Sequence, residues 1–594
     1  MELNLSGVDD LIYSPSPLTR ALHIWDEELT NLLHYAQKTG ELPFGIGSLS
    51  ALQVEIDWVL EGLRNGFEII DKIDGVRREV PPYHVSNYPS IFEHTQEITE
   101  NINKEVEQGI LIKSTRKPRW LTALNIKLET EKVRILRDYS APHGRAINEF
   151  TWISDIMHIM SLDHAIEFMH PNYFLAKMDI SNAFREVPIH NSGWENLSFE
   201  WQGVFYMDTR LPFGLRNAPE IFTRITNLIR AMLSTKGIKA TVVYVDDFLI
   251  VAQTIEACTQ AWLMLKELLT KLGFTVNMKV HKSVPPTKCL TFLGIILDTD
   301  VNQDASGIMQ ARVAQDKLDL ILSEAKAVAN CSMIRRKNLE SLVGKLNFIS
   351  KVVYGSRPYL RRMIDCLYKS KDRLIPITKG LQLDVAFWIE FAQEFNGKAI
   401  IIENPIIPPH YLSVDAATDG IKGQGGIGGF FNGEYFGVPI AKLAQKGDAE
   451  HKKAKSRKLY PTPTNEQTMH INYLELFAIW WAIVKWGPSW AGYHIIIHTD
   501  NEAARFMLNK GTARAPIFMP LLRDITKRMA KGGFRVQGVR VSTEANVLAD
   551  PLSRGDWTKF YQELDHWKLE TRDPSMHCLP RPITGTSDSN LKKF

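Results

Sequence analysis

Cysteine is scarce in this chain, with five residues among 594, and no two of them form a Cys-X-X-Cys pair. This scarcity argues against a disulfide framework and against a zinc site built from thiolates. Neither sign of charge dominates, because 70 Lys and Arg residues stand against 67 Asp and Glu residues. Any strongly basic surface must therefore be local and balanced by acidic residues elsewhere.

Long apolar runs are absent as well. The best candidate for a membrane span, residues 474–486, is interrupted by Glu475 and Lys485. The first twenty residues lack the basic and then apolar pattern of a signal peptide. We therefore expect an intracellular protein of the cytoplasm or the nucleus, with no membrane partner.

The chain is too long for one hydrophobic core, and its periodicity predicts an α+β multidomain protein. Helical spacing of apolar residues dominates the first and third segments, whereas short strand-like and helical runs alternate in the second and fourth. The predicted segments are a helical N-terminal extension of unknown role (1–80), an α+β unit (81–305), a basic helical unit (306–405), an α/β unit with a polar insertion at 441–470 (406–556), and a loose C-terminal tail (557–594).

The first set of acids lies in the second segment. Asp246 and Asp247 form a polar turn between two apolar strand-like runs, 241–245 and 248–252. Adjacent acids at a hairpin tip can be no more than turn residues, a role that Asp suits well. Asp179 ends another apolar run upstream. Carboxylates on neighbouring strand ends can hold two divalent cations, which is the arrangement that nucleotidyl transfer needs.

Between these acids lies a Gly/Pro turn, 211–219, that leads into a helix. Asp179, this turn and the Tyr-Val-Asp-Asp segment, in that order, resemble the palm of retroelement reverse transcriptases. The resemblance implies a right-hand polymerase, with fingers and palm over 81–305 and a helical thumb and connection over 306–405. It implies that Asp179 and Asp246 bind two Mg²⁺ ions, with Mn²⁺ as a substitute. Asp247 is either a further ligand or a supporting turn acid.

The resemblance also assigns residues that contact the incoming nucleotide. Phe184 lies where these enzymes place a ring that excludes a 2′-hydroxyl, although a core aromatic is the alternative. Lys127 and Arg134 match the positions that grip the triphosphate, although basic residues on a hairpin are often only solvated. Gly214 matches the glycine whose missing side chain leaves room for template or nucleotide. Lys282 matches a lysine near the leaving pyrophosphate.

Two further segments match parts of the family that hold the duplex. Residues 292–294 match a hairpin that holds the primer end. The basic stretch 334–362 is typical of a thumb that tracks duplex phosphates, although a solvated helix face is the alternative for any one residue. Its basic residues are Arg335, Arg336, Lys337, Lys345, Arg357, Arg361 and Arg362. We also hypothesise that the insertion 441–470 contacts nucleic acid.

A second set of acids lies in the fourth segment. Asp415 and Asp500 each follow a strand-like run, Glu475 lies on an apolar helix, and Asp550 comes late in the segment. Any one of them is more easily explained as a surface charge, except Glu475, whose burial without a partner would be costly. Their order resembles the RNase H fold, which implies a second site for two Mg²⁺ ions that activate water.

This second resemblance is incomplete at one position. The family often carries a histidine about ten residues before the last acid, and this chain has Arg540 there, followed by Val541-Ser542-Thr543-Glu544. The metal site does not depend on that histidine, so the resemblance implies slower or differently tuned cleavage.

Taken together, the resemblances imply a retrotransposon reverse transcriptase with RNase H activity. Its partners would be an RNA template, a DNA primer, the RNA–DNA hybrid and dNTPs, with a recombinase or integrase encoded separately. Segments around 199–203, 387–397 and 546–554 favour a DIRS-like element, with a gypsy-type element as the competitor. The alternatives are a host-adopted, non-catalytic nucleic-acid-binding protein and an RNA-dependent RNA polymerase; Phe184 and the nuclease domain argue against the second.

Overall fold

The structure is a computed structural model that describes residues 14–129, 132–301, 309–353, 356–370, 373–396, 410–421, 425–441, 470–491 and 493–570. Helices and strands are mixed throughout, as the fold class predicted from the sequence requires. The chain divides into two units, 1–293 with 297–303, and 294–296 with 304–594. Nearly all of the polar insertion and the end of the tail, 571–594, lie outside the described residues. Among the described helices, none combines the length and apolarity that crossing a bilayer requires.

The first unit is built around a four-stranded antiparallel sheet, in the order Thr241–Tyr244, Asp247–Ala252, Phe174–Asp179, Val284–Thr287. Phe174–Asp179 has a strand on each side, and all of its residues except Phe174 are buried. The helices of the first unit are Pro17–Arg20, Leu22–Thr39, Leu49–Asn65, Thr95–Glu107, Leu162–Phe168, Ala183–Glu186, Ala218–Thr235 and Ile255–Lys271.

A second sheet of this unit pairs Val204–Asp208 with Leu111–Ser114 and Ser198–Trp201, all antiparallel. A separate hairpin joins Leu124–Glu129 to Lys132–Arg137. This sheet and hairpin pack on helix Thr95–Glu107 around a small core of their own. The remaining strands of this unit are Lys72–Ile73, Val76–Arg77, Tyr83–His84, Trp120–Leu121 and Cys289–Phe292, whereas strand Ile295–Asp298 has residues in both units.

The N-terminal helices share one hydrophobic core with the four-stranded sheet and its helices. Trp25 is fully buried; its indole N–H donates to the Leu272 carbonyl at 3.0 Å and its ring packs edge-on against Phe274. Ser48 caps helix Leu49–Asn65 by accepting a hydrogen bond from the Ala51 amide. The segment predicted as an extension of unknown role is thus helical, and it completes the core beneath the sheet.

The second unit contains a five-stranded sheet in the order Glu434–Pro439, Gly426–Phe431, His410–Ala416, His494–Thr499, Arg535–Arg540. The first three strands are antiparallel neighbours, and the last two run parallel to His410–Ala416. Helix Ile471–Trp486 packs against this sheet and against helix Met519–Gly532, which explains why it is almost wholly apolar. The other helices of the second unit are Gln315–Ala329, Arg336–Ile349, Arg361–Lys369, Lys379–Phe395, Glu502–Lys510, Ala549–Arg554 and Trp557–Glu570. The other strands of this unit are Gln310–Arg312, Met333–Arg335 and Leu374–Pro376.

The beginning of the predicted loose tail differs from expectation, because residues 557–570 form a helix. Phe560 and Leu564 of this helix are buried against Phe430 and Leu552. Trp567 continues the same face, and its ring meets Phe430 edge-on with centroids 5.0 Å apart. The spacing of three and four residues between these apolar side chains was the signal of an amphipathic helix.

Candidate active sites

The three acids of the first set lie together at one end of the four-stranded sheet. Asp179, the last residue of its strand, is paired directly across the sheet with Asp247, the first residue of the next strand. Asp246 lies in the turn, where its carbonyl accepts a hydrogen bond from the Ile180 amide at 3.3 Å. The turn itself is Val245-Asp246, one residue earlier than the sequence analysis placed it, so Asp247 is a strand residue.

Val245 occupies the left-handed region of backbone space, with φ of 57°. A β-branched residue rarely adopts this conformation, which costs about 1–3 kcal/mol. The surrounding strands hold it there, since Tyr244 and Asp247 are paired on either side of the turn. This conformation of Val245 places Asp246 at the tip of the hairpin.

Two lysines balance the charge of these acids. The Lys282 ammonium lies 3.2 Å from Asp179, which also accepts a hydrogen bond from the Asn277 amide at 2.9 Å. Lys177 lies 3.0 Å from Asp247. Burial, and then the negative charges of Asp247 and Asp179, raise the pKa of Asp246 to about 6. Sequence reasoning missed Lys177; its signal was a lysine within the buried, otherwise apolar run 174–178.

The residues assigned to the nucleotide form a second group. Phe184 is half-buried and packs against Phe213 and Phe222, with ring centroids 5.1 and 5.3 Å away. The Arg134 guanidinium lies 5.7 Å from the centre of the Phe213 ring, and Lys127 is its direct cross-strand partner. The hairpin is therefore connected to the palm by a continuous set of contacts through Arg134, Phe213 and Phe184.

The structure gives a reason for the presence of glycine at position 214 that the sequence analysis did not supply. Its φ is 94°, and a Cβ at this position would lie 2.9 Å from the carbonyl oxygen of Arg137. The glycine is thus required by the close approach of the hairpin backbone. The Asn148 side chain secures this turn by donating to the Gly214 carbonyl at 3.0 Å and accepting from the Arg216 amide at 2.8 Å.

A buried ion network beneath these residues was not predicted. Arg137, at the end of the hairpin, lies 2.9 Å from both Asp208 and Glu105. Arg185, which follows Phe184, lies 2.5 Å from Asp208 and 2.9 Å from Glu105. The Tyr139 hydroxyl donates to Asp208 at 3.2 Å. Because Arg137 and Arg185 share the same two carboxylates, the network fixes the hairpin relative to the palm.

Replacing Asp208 with Asn is expected to destabilise the first unit by about 3–5 kcal/mol, because two buried guanidinium groups lose a fully buried counter-charge. Urea denaturation followed by tryptophan fluorescence measures this change. Glu93→Gln, at an exposed position of the same unit, is the matched control and should change stability by less than about 0.5 kcal/mol. Equal stability of D208N and wild type would contradict the account of the network.

The same network predicts an acid-sensitive contribution to stability. Burial opposes the ionisation of Glu105, but the guanidinium groups of Arg185 and Arg137 outweigh it and lower its pKa to about 2, from the usual 4.5. A lowered pKa of a folded carboxyl stabilises the protein above pH 4.5, and this contribution is lost as pH falls from 4.5 through about 2. Denaturation midpoints of wild type and Glu105→Gln should therefore converge across that window. Curves that stay parallel would exclude this role.

The second set of acids converges at one edge of the five-stranded sheet. Strands His410–Ala416 and His494–Thr499 are parallel, so Asp415 and Asp500 lie at neighbouring carboxyl ends. Glu475 reaches this edge from the buried helix Ile471–Trp486. Ligand oxygens of the three carboxylates all lie within 4.8 Å of one another. Hard oxygen ligands at this spacing suit a divalent cation such as Mg²⁺.

Burial and the charges of neighbouring acids raise the pKa of two of these carboxyls, Asp415 and Glu475. Asp415 and Glu475 are 3% and 2% exposed. Burial, followed by the charges of its acidic neighbours, raises the pKa of Asp415 to about 7 and that of Glu475 to about 9. The Ser553 hydroxyl donates to Asp415 at 2.5 Å, and the Ala416 amide donates to Glu475 at 3.3 Å. A bound cation would stabilise the charged form of these carboxyls.

Asp550 is held apart from the three-acid group. It lies in the first turn of helix Ala549–Arg554, where the Arg554 guanidinium contacts its carboxylate at 2.8 Å. Its charge still contributes to the raised pKa of Asp415. In the loop where the family often has a histidine, the Thr543 hydroxyl donates to Asp500 at 2.7 Å.

Several basic residues of the predicted thumb are paired with acids of their own unit. Arg336 lies 2.8 Å from Glu340, and Arg361 lies 2.8 Å from Asp365. Arg362 lies 3.5 Å from the buried Asp384. These three are therefore less suited to binding phosphates than their number suggests. The basic stretch also begins as a strand, Met333–Arg335, before the helix starts at Arg336.

The two sets of acids lie in separate units, and the first set lies on a strand–turn–strand of a four-stranded antiparallel sheet. Residues 137–297, which contain the whole first set, match the family model of reverse transcriptase, described as RNA-dependent DNA polymerase. This segment is therefore similar to reverse transcriptase domains of the retroelement kind.

Particular relatives follow from comparison of the whole chain. It is 23% identical to the retrovirus-related Pol polyprotein from transposon 297 of Drosophila melanogaster, over 91% of this chain and 47% of the relative. It is also 23% identical to that from transposon opus of the same fly, over 80% of this chain and 43% of the relative. The chain thus spans less than half the length of these relatives. Among solved structures, it is similar to a foamy viral protease–reverse transcriptase in complex with double-stranded DNA, with 16% identity, coverage of 87% of this chain and 82% of that chain, and a TM-score of 0.48.

Proposed function

We propose that this chain is an RNA-directed DNA polymerase with RNase H activity, which copies retrotransposon RNA into DNA and cleaves the RNA of the resulting hybrid. The observation that carries the proposal is the cross-strand pairing of Asp179 with Asp247, with Asp246 beside them, inside the segment that matches reverse transcriptases. The element from which it derives is DIRS-like or gypsy-type, as the sequence analysis infers.

In the polymerase site, Asp179, Asp246 and Asp247 would hold two Mg²⁺ ions. When bound, these ions supply Lewis acidity to the attacking 3′-hydroxyl and to the leaving pyrophosphate. Lys282 and Lys177 neutralise two of the acids in the structure described here. Lys127 and Arg134 bind the triphosphate, and the Phe184 ring, held by Phe213 and Phe222, excludes a ribose 2′-hydroxyl.

In the RNase H site, Asp415, Glu475 and Asp500 would hold the cations, and Asp550 joins them once its contact with Arg554 is broken. The convergence of the three carboxylates supports this assignment. When bound, Mg²⁺ activates a water molecule for attack on the RNA phosphodiester. Ser553 and Thr543 orient Asp415 and Asp500 through their hydroxyl groups.

The proposed partners are an RNA template, a DNA primer, the RNA–DNA hybrid and dNTPs, with a separately encoded recombinase or integrase. The solved relatives include a foamy viral protease–reverse transcriptase in complex with an RNA/DNA hybrid, which is the class of substrate proposed for this chain. The proposed location is intracellular, in the cytoplasm or the nucleus, where these substrates occur.

The test is extension of a DNA primer on an RNA template with Mg²⁺, run in parallel with dNTPs and with NTPs. The proposal expects extension with dNTPs and little with NTPs. Efficient extension with NTPs would instead indicate an RNA-dependent RNA polymerase. No extension with Mg²⁺ or Mn²⁺, while hybrid binding is intact, would indicate a non-catalytic nucleic-acid-binding protein.

A further inference from the structure

A cavity of about 260 Å³ lies in the first unit, and none of the three acids of the first set lines it. One wall is a face of helix Ala218–Thr235, opposite the side on which Phe222 meets Phe184. The other walls come from Glu55 of helix Leu49–Asn65, from residues 43–46 in the connection before that helix, and from the segment 154–158. Its lining includes Phe44, Ile46, Glu55, Ser154, His158, Glu220, Thr223, Arg224, Asn227 and Leu228.

Glu220 brings a buried carboxyl group to this cavity. It is 7% exposed, and its carboxylate accepts hydrogen bonds from the hydroxyl and the main-chain N–H of Ser154. Among the residues that the structure describes, no cation pairs with it. Arg224, one turn along the helix, is already engaged, because Glu55 binds its guanidinium through two contacts of 2.8 and 2.5 Å. The same guanidinium lies 3.4 Å from the centre of the Trp58 ring.

Two further oxygen atoms of the same helix face lack partners. The Thr223 hydroxyl and the Asn227 side-chain carbonyl are buried and make no hydrogen bond within the described structure. Thr223 is 1% exposed. An unsatisfied buried polar group costs about 1–3 kcal/mol, so the cavity offers stabilisation to any molecule that donates to these atoms. Residues 220, 223 and 227 are three and four positions apart, which places them on one side of the helix.

A second cleft lies beside the cavity. This cleft of about 310 Å³ is lined by Trp58, Glu68, Ile70, Asp71, Lys72 and Trp152, and it shares Ser154 and Arg224 with the cavity. The charged residues that line this cleft are two acids, Glu68 and Asp71, and two bases, Lys72 and Arg224.

We propose that this cavity binds a short linear alkylamine that carries a second hydrogen-bond donor at its far end. The ammonium group lies between the Glu220 carboxylate and the Thr223 hydroxyl, and the far donor reaches the Asn227 carbonyl. At about 1.5 Å of helix rise per residue, positions 220 and 227 are roughly 10 Å apart, which suits a chain of four to six carbon atoms. The aliphatic part packs against Phe44, Ile46 and Leu228.

The test is isothermal titration calorimetry of the full chain with 1,4-diaminobutane, n-butylamine and 1-butanol, without nucleic acid. The proposal expects saturable binding of one diamine, weaker binding of the monoamine and none of the alcohol. Glu220→Gln should weaken diamine binding at least tenfold, and Thr223→Val should weaken it several-fold, with circular dichroism confirming that both variants fold. Glu61→Gln, on the exposed face of helix Leu49–Asn65, is the matched control and should bind as wild type does.

Other acidic groups of the protein could attract a diamine, so Glu475→Gln and Asp246→Asn are titrated as well. Unchanged binding by these two variants supports the cavity as the site. Equal affinity of Glu220→Gln and wild type would overturn the proposal, as would binding lost only in Glu475→Gln or Asp246→Asn. The proposal also fails if KCl alone gives the same saturable heat, since the site would then hold an inorganic cation.

Discussion

Replacing Asp246 with Asn is expected to reduce primer extension by about a thousandfold. The variant keeps the hairpin and the size of the side chain but loses one of the carboxylates that would hold the catalytic cations. Metal ions supply several kcal/mol of transition-state stabilisation, and about 4 kcal/mol corresponds to a thousandfold in rate. Single-turnover extension on an RNA template measures the chemical step without the contribution of product release.

The control for this prediction is the other activity of the same molecule. Cleavage of an RNA–DNA hybrid by Asp246→Asn should be unchanged, because its proposed acids lie in the second unit. Asp57→Asn, at an exposed position of the first unit, should extend primers as wild type does. If D246N extended primers at even a tenth of the wild-type rate, Asp246 would not be a metal ligand.

Replacing Glu475 with Gln is expected to reduce hybrid cleavage by about a thousandfold while leaving primer extension intact. Because burial and neighbouring acids raise the pKa of Glu475 to about 9, its carboxyl is neutral at pH 7 without a cation. Glutamine has the same shape and is also neutral, so the variant should not be less stable than wild type. The loss of activity would then come from the lost metal ligand. A gel assay of labelled RNA in a preformed hybrid measures the cleavage.

Glu502→Gln is the matched control for this variant, because Glu502 is exposed and follows Asp500 by two residues. It should cleave the hybrid as wild type does. Isothermal titration with Mn²⁺ adds a readout that does not depend on activity, and it should show weaker binding to E475Q. Wild-type cleavage by E475Q would exclude the three-acid group as the nuclease site.

Local patterns in the sequence were sufficient to predict much of both sites. Asp246 and Asp247 stand between two apolar β runs, and a hairpin is the local structure that such a pattern favours. Asp415 and Asp500 each follow a buried strand, and Glu475 interrupts an apolar helix, so each acid is marked by its own neighbours. Parallel pairing of the two strands then brings Asp415 and Asp500 together.

Contacts between distant segments could not be predicted in this way. Glu105 and Asp208 are far apart in the sequence, yet both bind Arg137 and Arg185. Nothing near any one of these residues indicates its partners, because only the packing of the hairpin on the palm brings them together. The contact of Lys177 is the exception among these long-range contacts, because a lysine in a buried strand requires an acidic partner.

Other details were missed because one residue type serves several purposes. Gly214 was interpreted as leaving room for template or nucleotide, and the structure adds a second reason for glycine, because a Cβ there would meet the backbone of Arg137. Asp550 was grouped with three other acids, but an arginine four residues later on the same helix holds it. A spacing of four residues brings side chains together on any helix, so this pair was visible in the sequence and was overlooked.

The most direct test of the account follows both strands in a single reaction. A DNA primer and its RNA template carry different fluorescent labels, and wild-type protein is added with dNTPs and Mg²⁺. The account predicts that the primer lengthens to the end of the template and that the RNA is then cut behind the advancing primer end. A primer that stays at its original length with Mg²⁺ and with Mn²⁺, although the protein binds the hybrid, would contradict it.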